Sequence, residues 1–225
     1  LKIFEEILAT SEQEHDMIIL KYILTAVCAY FLGSVSVSIL LSRGIMNADV
    51  RAHGSGNAGA TNMARVFGLR MGAVTLAGDM LKAALAMLLG FALLGERGMC
   101  VAGALCLVGH CYPALHEFRG GKGVSVGTAV FLAADWRVLA VAVVFFALAA
   151  LLSRKVSLGS LAAAVSGFAA AAYLALPLPR LLLVAFTMLL VILRHRENII
   201  RLVRGTEPDF TLGSAKRRRA DESRG

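Results

Sequence analysis

Three short polar islands carry the residue types in this chain that can do chemistry. The first is Gly54-Ser55-Gly56-Asn57-Ala58-Gly59-Ala60-Thr61-Asn62, followed by Arg65. Gly54, Gly56 and Gly59 allow close backbone approach, while Ser55, Asn57, Thr61 and Asn62 supply donors and acceptors. A helix starting near Ala60 would put Asn62 and Arg65, three residues apart, on one face. The second island is Gly120-Gly121-Lys122-Gly123, just before an apolar run. Backbone N–H groups at a helix start and one ammonium can converge there on a single anion, and a phosphate fits that geometry. The third is Arg194-His195-Arg196-Glu197-Asn198, where His195 and Asn198 share a helical face and Glu197 lies on another. His195, whose unperturbed pKa lies near neutrality, suits a role as acid, base or phosphate donor. Each island also has a plainer reading: a hinge, a tight turn with a snorkelling lysine, and an interfacial histidine. Asp79 and Lys82, at a spacing of three inside an apolar run, neutralise one another most simply in a bundle interior.

The elements that hold these islands are set by composition. Of 225 residues 58% are hydrophobic, the mean hydropathy is +0.73 and only four are proline, which excludes an ordinary soluble domain. The pattern predicts an all-α, polytopic membrane protein with about seven transmembrane helices, near 17–42, 72–94, 98–116, 124–134, 137–152, 157–175 and 178–194. The segment 124–134 is the weakest. Eleven residues rise only about 16 Å against a hydrocarbon core of roughly 30 Å, so six crossings are the alternative. Polar backbone between such runs needs water or protein partners, which makes the islands candidates for lining a cavity.

With seven spans, seventeen of the 23 Lys and Arg residues fall on one side and five on the other, with Lys82 inside a span. The positive-inside rule then puts the N-terminus outside, the C-terminus in the cytoplasm, and all three islands on the cytoplasmic face as active-site loops. The expected organisation is a polar extension over 1–16, one membrane-embedded domain over 17–210 and a basic cytoplasmic tail over 211–225. The extension lacks the basic start of a signal peptide and reads as a short extracytoplasmic segment or a product of start-site choice. In the tail, Lys216-Arg217-Arg218-Arg219 reads as an orientation signal touching anionic lipid, and nucleic acid is not an expected partner.

Cys28, Cys100, Cys106 and Cys111 lie in or beside apolar runs without metal spacing and read as packing residues. No His-Glu-x-x-His, Asp-rich metal loop or complete Walker A pattern occurs; after Lys122 comes Gly123 where that pattern needs Ser or Thr. Neither a metal nor a cofactor is expected.

The residues also carry a resemblance. Gly33-Ser34, the stretch Gly54 to Asn62 with Arg65, Asp79 with Lys82, Gly109-His110 followed by Tyr112-Pro113, Phe118 through Gly123, Ser157-Leu158 and Arg194 through Asn198 occur in the order seen in the bacterial acyl-phosphate-dependent glycerol-3-phosphate acyltransferases, the PlsY family. The similarity runs from about residue 20 to 210. It implies a seven-span enzyme of the inner membrane that moves a fatty acyl group from acyl phosphate to the 1-hydroxyl of sn-glycerol 3-phosphate, giving lysophosphatidic acid and phosphate in phospholipid synthesis. It implies a functional link to an acyl-phosphate-forming enzyme as well.

By that resemblance, the residues placed in the chemistry are Ser55, Arg65, Lys122, His195 and Asn198. Gly54, Gly56, Asn57, Thr61, Asn62, Gly120, Gly121, Gly123 and Ser157 are expected to bind substrate, and Glu197, Asp79 and Lys82 to be structural. Ala58 and Met80 depart from residues common in relatives, at positions without chemistry. Many glycerolipid acyltransferases pair a histidine with an aspartate five residues on; here Leu20, Ala58, Leu115, Gly121 and Ile200 stand at that distance. The rival class is a transporter of a small organophosphate using the same basic cavity. Such proteins often show inverted repeats, and no second copy of the first island is present.

Overall fold

The computed structural model describes the backbone of residues 2–210 and the side chains of residues 13–210. The basic run over 216–219 lies outside the described residues. Among those described, every regular element is helical: α1 (Lys2–Ser34), α2 (Val37–Gly44), α3 (Ala60–Phe67), α4 (Leu69–Cys111), α5 (Val124–Ala134), α6 (Trp136–Ser153), α7 (Val156–Tyr173), α8 (Leu178–Arg194) and α9 (Arg196–Val203), with short 3-10 turns at Val50–Ala52 and Ala114–His116. The protein is an all-α membrane protein.

Four stretches are long and apolar enough to cross a membrane: Gln13–Gly44, Leu69–His116, Trp136–Ser153 and Val156–Tyr173. The pair α8 and α9, bent by 59°, makes five when taken as one span. These lengths do not by themselves give the seven crossings expected. Part of the difference is that α4 doubles back. At Gly95 (φ 62°, ψ −148°) its backbone leaves helical geometry, and Gly90 and Gly98 meet backbone to backbone. In a straight helix eight residues would separate them by about 12 Å. The two arms correspond to the expected 72–94 and 98–116, and α5 has the predicted eleven residues.

Two expected boundaries are corrected. The run over 17–42 is two helices, parted at Val35 and the extended Ser36 (φ −94°, ψ 103°). Ser34-Val35-Ser36-Val37-Ser38 alternates residues of modest helix propensity, and Lys82 supplies donors for the carbonyls the break exposes, Gly33 at 2.9 Å and Val35 at 2.6 Å. The run over 98–116 ends at Cys111. Tyr112 precedes Pro113, and a residue in that place is pushed out of helical conformation (φ −132°, ψ 67°).

Small residues bring the helices together. Gly33 of α1 abuts the backbone of Cys106, and Gly109 abuts that of Tyr30 and Ser34, so a methyl group at either would collide with main chain. The buried core is built mainly of Ala, Val and Cys, including Ala83, Ala86, Ala102, Cys106, Val126, Val130 and Val184. Lipid-facing positions carry large apolar side chains instead, such as Phe145, Leu148, Leu151 and Leu152 of α6. At the end of the bundle near Gly95, Arg180 ties Glu96 (2.8 Å) to the carbonyl of Ala134 (3.1 Å). The opposite end carries the polar islands.

Candidate active site

The first island is folded around Asn62. This side chain is 1% exposed, its Nδ2 donates toward the carbonyls of Val50 (3.1 Å), His53 (3.0 Å) and Asn57 (3.1 Å), and its Oδ1 accepts the N–H of Ser55 at 2.9 Å. Its amide is therefore committed to the loop, which alters the expectation that Asn62 and Arg65 face the same space as ligands. Gly54 is required there twice over. Its φ of 62° lies in the left-handed region, and a Cβ would strike Asn62 Oδ1 and Val66. Helix α3 does begin at Ala60, and the Arg65 guanidinium makes no hydrogen bond within the described residues.

The second island hangs between α4 and α5. The N–H of Gly121 donates to the carbonyl of His110 at 3.1 Å. Arg194 braces the loop from α8, its Nε donating to Gly121 O at 3.2 Å and its Nη2 to Gly120 O at 3.3 Å, with the guanidinium over the Tyr112 ring at 4.8 Å. Gly123, with φ 84°, caps the start of α5. Lys122 Nζ donates to Asn198 Oδ1, a close contact that joins the second and third islands. Burial, then the nearby Arg201 cation, pushes the Lys122 ammonium down to about 8, against the opposing pull of Glu207.

The third island straddles the α8–α9 bend. His195 (3% exposed) directs Nδ1 at the carbonyl of Val191 at 2.8 Å. That carbonyl can only accept, so Nδ1 carries hydrogen and Nε2 is the nitrogen left to the cavity. Asn198 is buried beside it. Glu197, by contrast, is exposed and makes no side-chain hydrogen bond or ion pair among the described residues. The carboxylate that is built in is Glu207. Its Oε1 accepts from Ser157 Oγ and Asn198 Nδ2, both at 2.6 Å, and its Oε2 accepts from Arg201 Nε at 2.7 Å. Burial pushes this carboxyl up, but those three donors outweigh it and hold the group below the ordinary carboxylate range.

One cavity of about 220 Å³ collects residues from all three islands. Ser55, Asn57, Thr61, Asn62, Arg65, Lys122, Ser157, His195 and Asn198 line it, as does the first turn of α5 at Val124 and Ser125. The glycines Gly54, Gly56, Gly120, Gly121 and Gly123 shape the backbone around it without lining it. Among the residues not singled out as site residues in the sequence, the polar side chains of His110, Ser160, Arg201 and Glu207 also face this space. A second, apolar cleft of about 230 Å³ adjoins the first. The two share Leu76, Val124, Phe146 and Ser160, and the cleft continues past Phe131, Ala142 and Ala163 to Val143, which is 52% exposed on the lipid-facing side. Asp79 and Lys82 stand 3.0 Å apart beneath the cavity, with His110 Nδ1 at 3.1 Å from the ammonium. Among the described residues no group of three or more His, Cys, Asp or Glu gathers into a metal site.

A polar, cationic cavity opening into an apolar cleft accommodates an amphipathic substrate with an anionic head. The profile of the glycerol-3-phosphate acyltransferase family matches residues 23–205. The glycerol-3-phosphate acyltransferase of Finegoldia magna is 35% identical over 189 residues, covering 82% of this chain and 94% of the relative. That of Jannaschia sp. is 40% identical over 185 residues, covering 82% and 91%. The crystal structure of PlsY (YgiH), an integral membrane glycerol 3-phosphate acyltransferase, in its glycerol 3-phosphate form superposes with a TM-score of 0.79 at 32% identity, covering 84% of this chain and 96% of that one. Its lysophosphatidic acid form gives 0.77 at 31% identity, covering 84% and 95%.

Proposed function

The chain belongs to the glycerol-3-phosphate acyltransferase family, of the PlsY type, and from that premise we propose that it moves a fatty acyl group from acyl phosphate to the 1-hydroxyl of sn-glycerol 3-phosphate, releasing lysophosphatidic acid and phosphate. The observation that carries this reading is the junction of the cationic cavity with the apolar cleft at Leu76, Val124, Phe146 and Ser160. It suits a donor whose tail lies in the cleft and whose mixed anhydride reaches the cavity.

Acyl phosphate already has a good leaving group, so transfer proceeds directly, without an acyl-enzyme. The acceptor oxygen bonds to the acyl carbon, the bond from that carbon to the phosphate oxygen breaks, and phosphate leaves with the electron pair. The protein's task is to hold the two reactants together and offset the charge of two phosphates. Lys122, Arg65 and the first turn of α5 bind phosphate. Ser55 and Asn198 position substrate. The hydroxyl proton passes to His195 Nε2 or to a substrate phosphate oxygen, and the residual rate of His195→Asn separates these routes. The islands face the cytoplasm of a bacterial inner membrane, where an acyl-phosphate-forming enzyme supplies the donor.

The test supplies palmitoyl phosphate and glycerol 3-phosphate to purified protein in lipid, with Lys122→Ala and Ser55→Ala in parallel. Lysophosphatidic acid from wild type, lost in both variants, supports the reading. Product only from acyl-CoA or acyl carrier protein would move the donor, and movement of an intact organophosphate across vesicles without product would replace the enzyme by a transporter.

A further inference from the structure

Glu207 lies beyond α9, yet the residue is only 7% exposed and its carboxylate joins two helices through three side chains: Ser157 on α7, and Asn198 and Arg201 on α9. The segment that carries it is pinned along its length. Thr206 N–H donates to Arg201 O at 2.8 Å, Lys155 Nζ to Glu207 O at 2.8 Å, and Phe210 N–H to Arg154 O at 2.9 Å. The following residue, Pro208, lines the cavity.

We propose that Glu207 is a positioning residue for the acceptor substrate: it fixes which way the Asn198 amide faces and, through that amide, where Lys122 presents its ammonium. This rests on the reading of Lys122 as the ligand of the glycerol 3-phosphate phosphate group. A carboxylate only accepts hydrogen bonds, so Asn198 can turn only its NH₂ toward Glu207. Its Oδ1 is thereby left for Lys122, which donates to it. An ammonium has three N–H groups, and with one engaged by Asn198 the others remain for the cavity. Were the amide reversed, NH₂ would face ammonium, donor against donor.

Glu207 is not itself the ligand or the base. Oε1 already accepts two hydrogen bonds and Oε2 accepts one from a guanidinium, and a carboxylate so engaged repels an incoming phosphate. Its charge acts locally. It offsets Arg201, which otherwise stands uncompensated beside Lys122.

The experiment measures steady-state kinetics of the full chain in lipid for wild type, Glu207→Gln, Glu207→Ala, Asn198→Ala and the Glu207→Ala/Asn198→Ala double variant, with folding checked by thermal melting. Glu207→Ala removes three hydrogen bonds, and the consequence that reaches the substrate, one charge-assisted contact from a misplaced Lys122 to the phosphate, predicts a KM for glycerol 3-phosphate raised about tenfold, with the KM for acyl phosphate unmoved. Glu207→Gln keeps Oε1 as an acceptor for Ser157 and Asn198 but sets an amide against Arg201, so its KM lies between the two. The double variant is no weaker than Asn198→Ala alone. An unchanged KM for glycerol 3-phosphate in whichever Glu207 variants fold, or single effects that multiply in the double variant, overturns the proposal. Absence of acyl transfer in wild type instead rejects the functional reading beneath it.

Discussion

The ammonium of Lys82 donates to the carbonyl of Val35 at 2.6 Å, at the point where α1 has ended and α2 has not begun. The same nitrogen serves Gly33 O and lies 3.0 Å from Asp79. Lys82→Met strands two main-chain carbonyls and a buried carboxylate whose oxygens make no hydrogen bond among the described residues and whose remaining neighbour is His110 Nδ1 at 3.6 Å. Removing one partner of a buried ion pair costs about 3–5 kcal/mol, so this variant is expected to melt far below wild type in detergent. Asp79→Asn, which keeps both carbonyl contacts, is expected to lose less. Equal melting temperatures for the two would show that the carbonyls are not what Lys82 is needed for.

Lys122 links pH to binding and to stability in opposite senses. Its folded value lies at about 8, below the ordinary 10.5. On the proposed role of Lys122, phosphate binding needs the ammonium, so the KM for glycerol 3-phosphate is expected to be flat below pH 8 and to rise above it, approaching tenfold per pH unit. Between pH 8 and 10.5 the unfolded chain holds a proton here that the folded one has shed, so this group's contribution to stability increases with pH across that window. A pH series of KM and of melting temperature checks both signs, and Lys122→Met, which has no proton to exchange here, is expected to flatten the stability curve.

Gly121 has no room for a side chain. A Cβ there would meet His110 Nε2 and lie 2.9 Å from the carbonyl of Ala58. Gly121→Ala must therefore move the Lys122 loop, and a displacement near 1 Å is expected to cost about 100-fold in kcat/KM with helical content retained. Gly44→Ala, where nothing lies within 4 Å, is expected to leave activity at the wild-type level.

The apolar cleft predicts a chain-length effect. Ala163 lines it and is only partly buried. Ala163→Phe is expected to obstruct the far portion of a palmitoyl chain. Excluding three methylenes costs about 2.4 kcal/mol, roughly 60-fold in kcat/KM. A shorter acyl phosphate should lose little, and the KM for glycerol 3-phosphate should not move. Equal losses for both donors would place the tail elsewhere.

The islands were legible because residues that build polar loops among apolar helices are conspicuous: Lys122 among three glycines, or His195 and Asn198 three apart. A helix start near Ala60, considered from the sequence as a condition for Asn62 and Arg65 sharing a face, agrees with α3. Local spacing did not reveal that Asn62 spends its amide on Val50, His53 and Asn57, because those carbonyls come from a 3-10 turn and the irregular loop after it, a path that no periodicity encodes. Glu207 was hidden for a related reason. It reaches Ser157 across 50 residues of chain and Asn198 by a turn through Gly205, while Glu197, nearer the histidine in sequence, points away. The break at Val35 and Ser36 depends on Lys82, a donor 47 residues further along.

The meeting of a polar cavity with a cleft that reaches the lipid-facing side at Val143 means that the two substrates of the proposed reaction are counted in different units. The acceptor is dissolved in water and fills its site according to molarity. The donor reaches the cleft from within the bilayer, so its occupancy follows its mole fraction among lipids. Adding inert lipid at constant donor thus starves one half of the site and leaves the other untouched. Growth of the membrane by this reaction then dilutes the donor, a brake that needs no regulatory site.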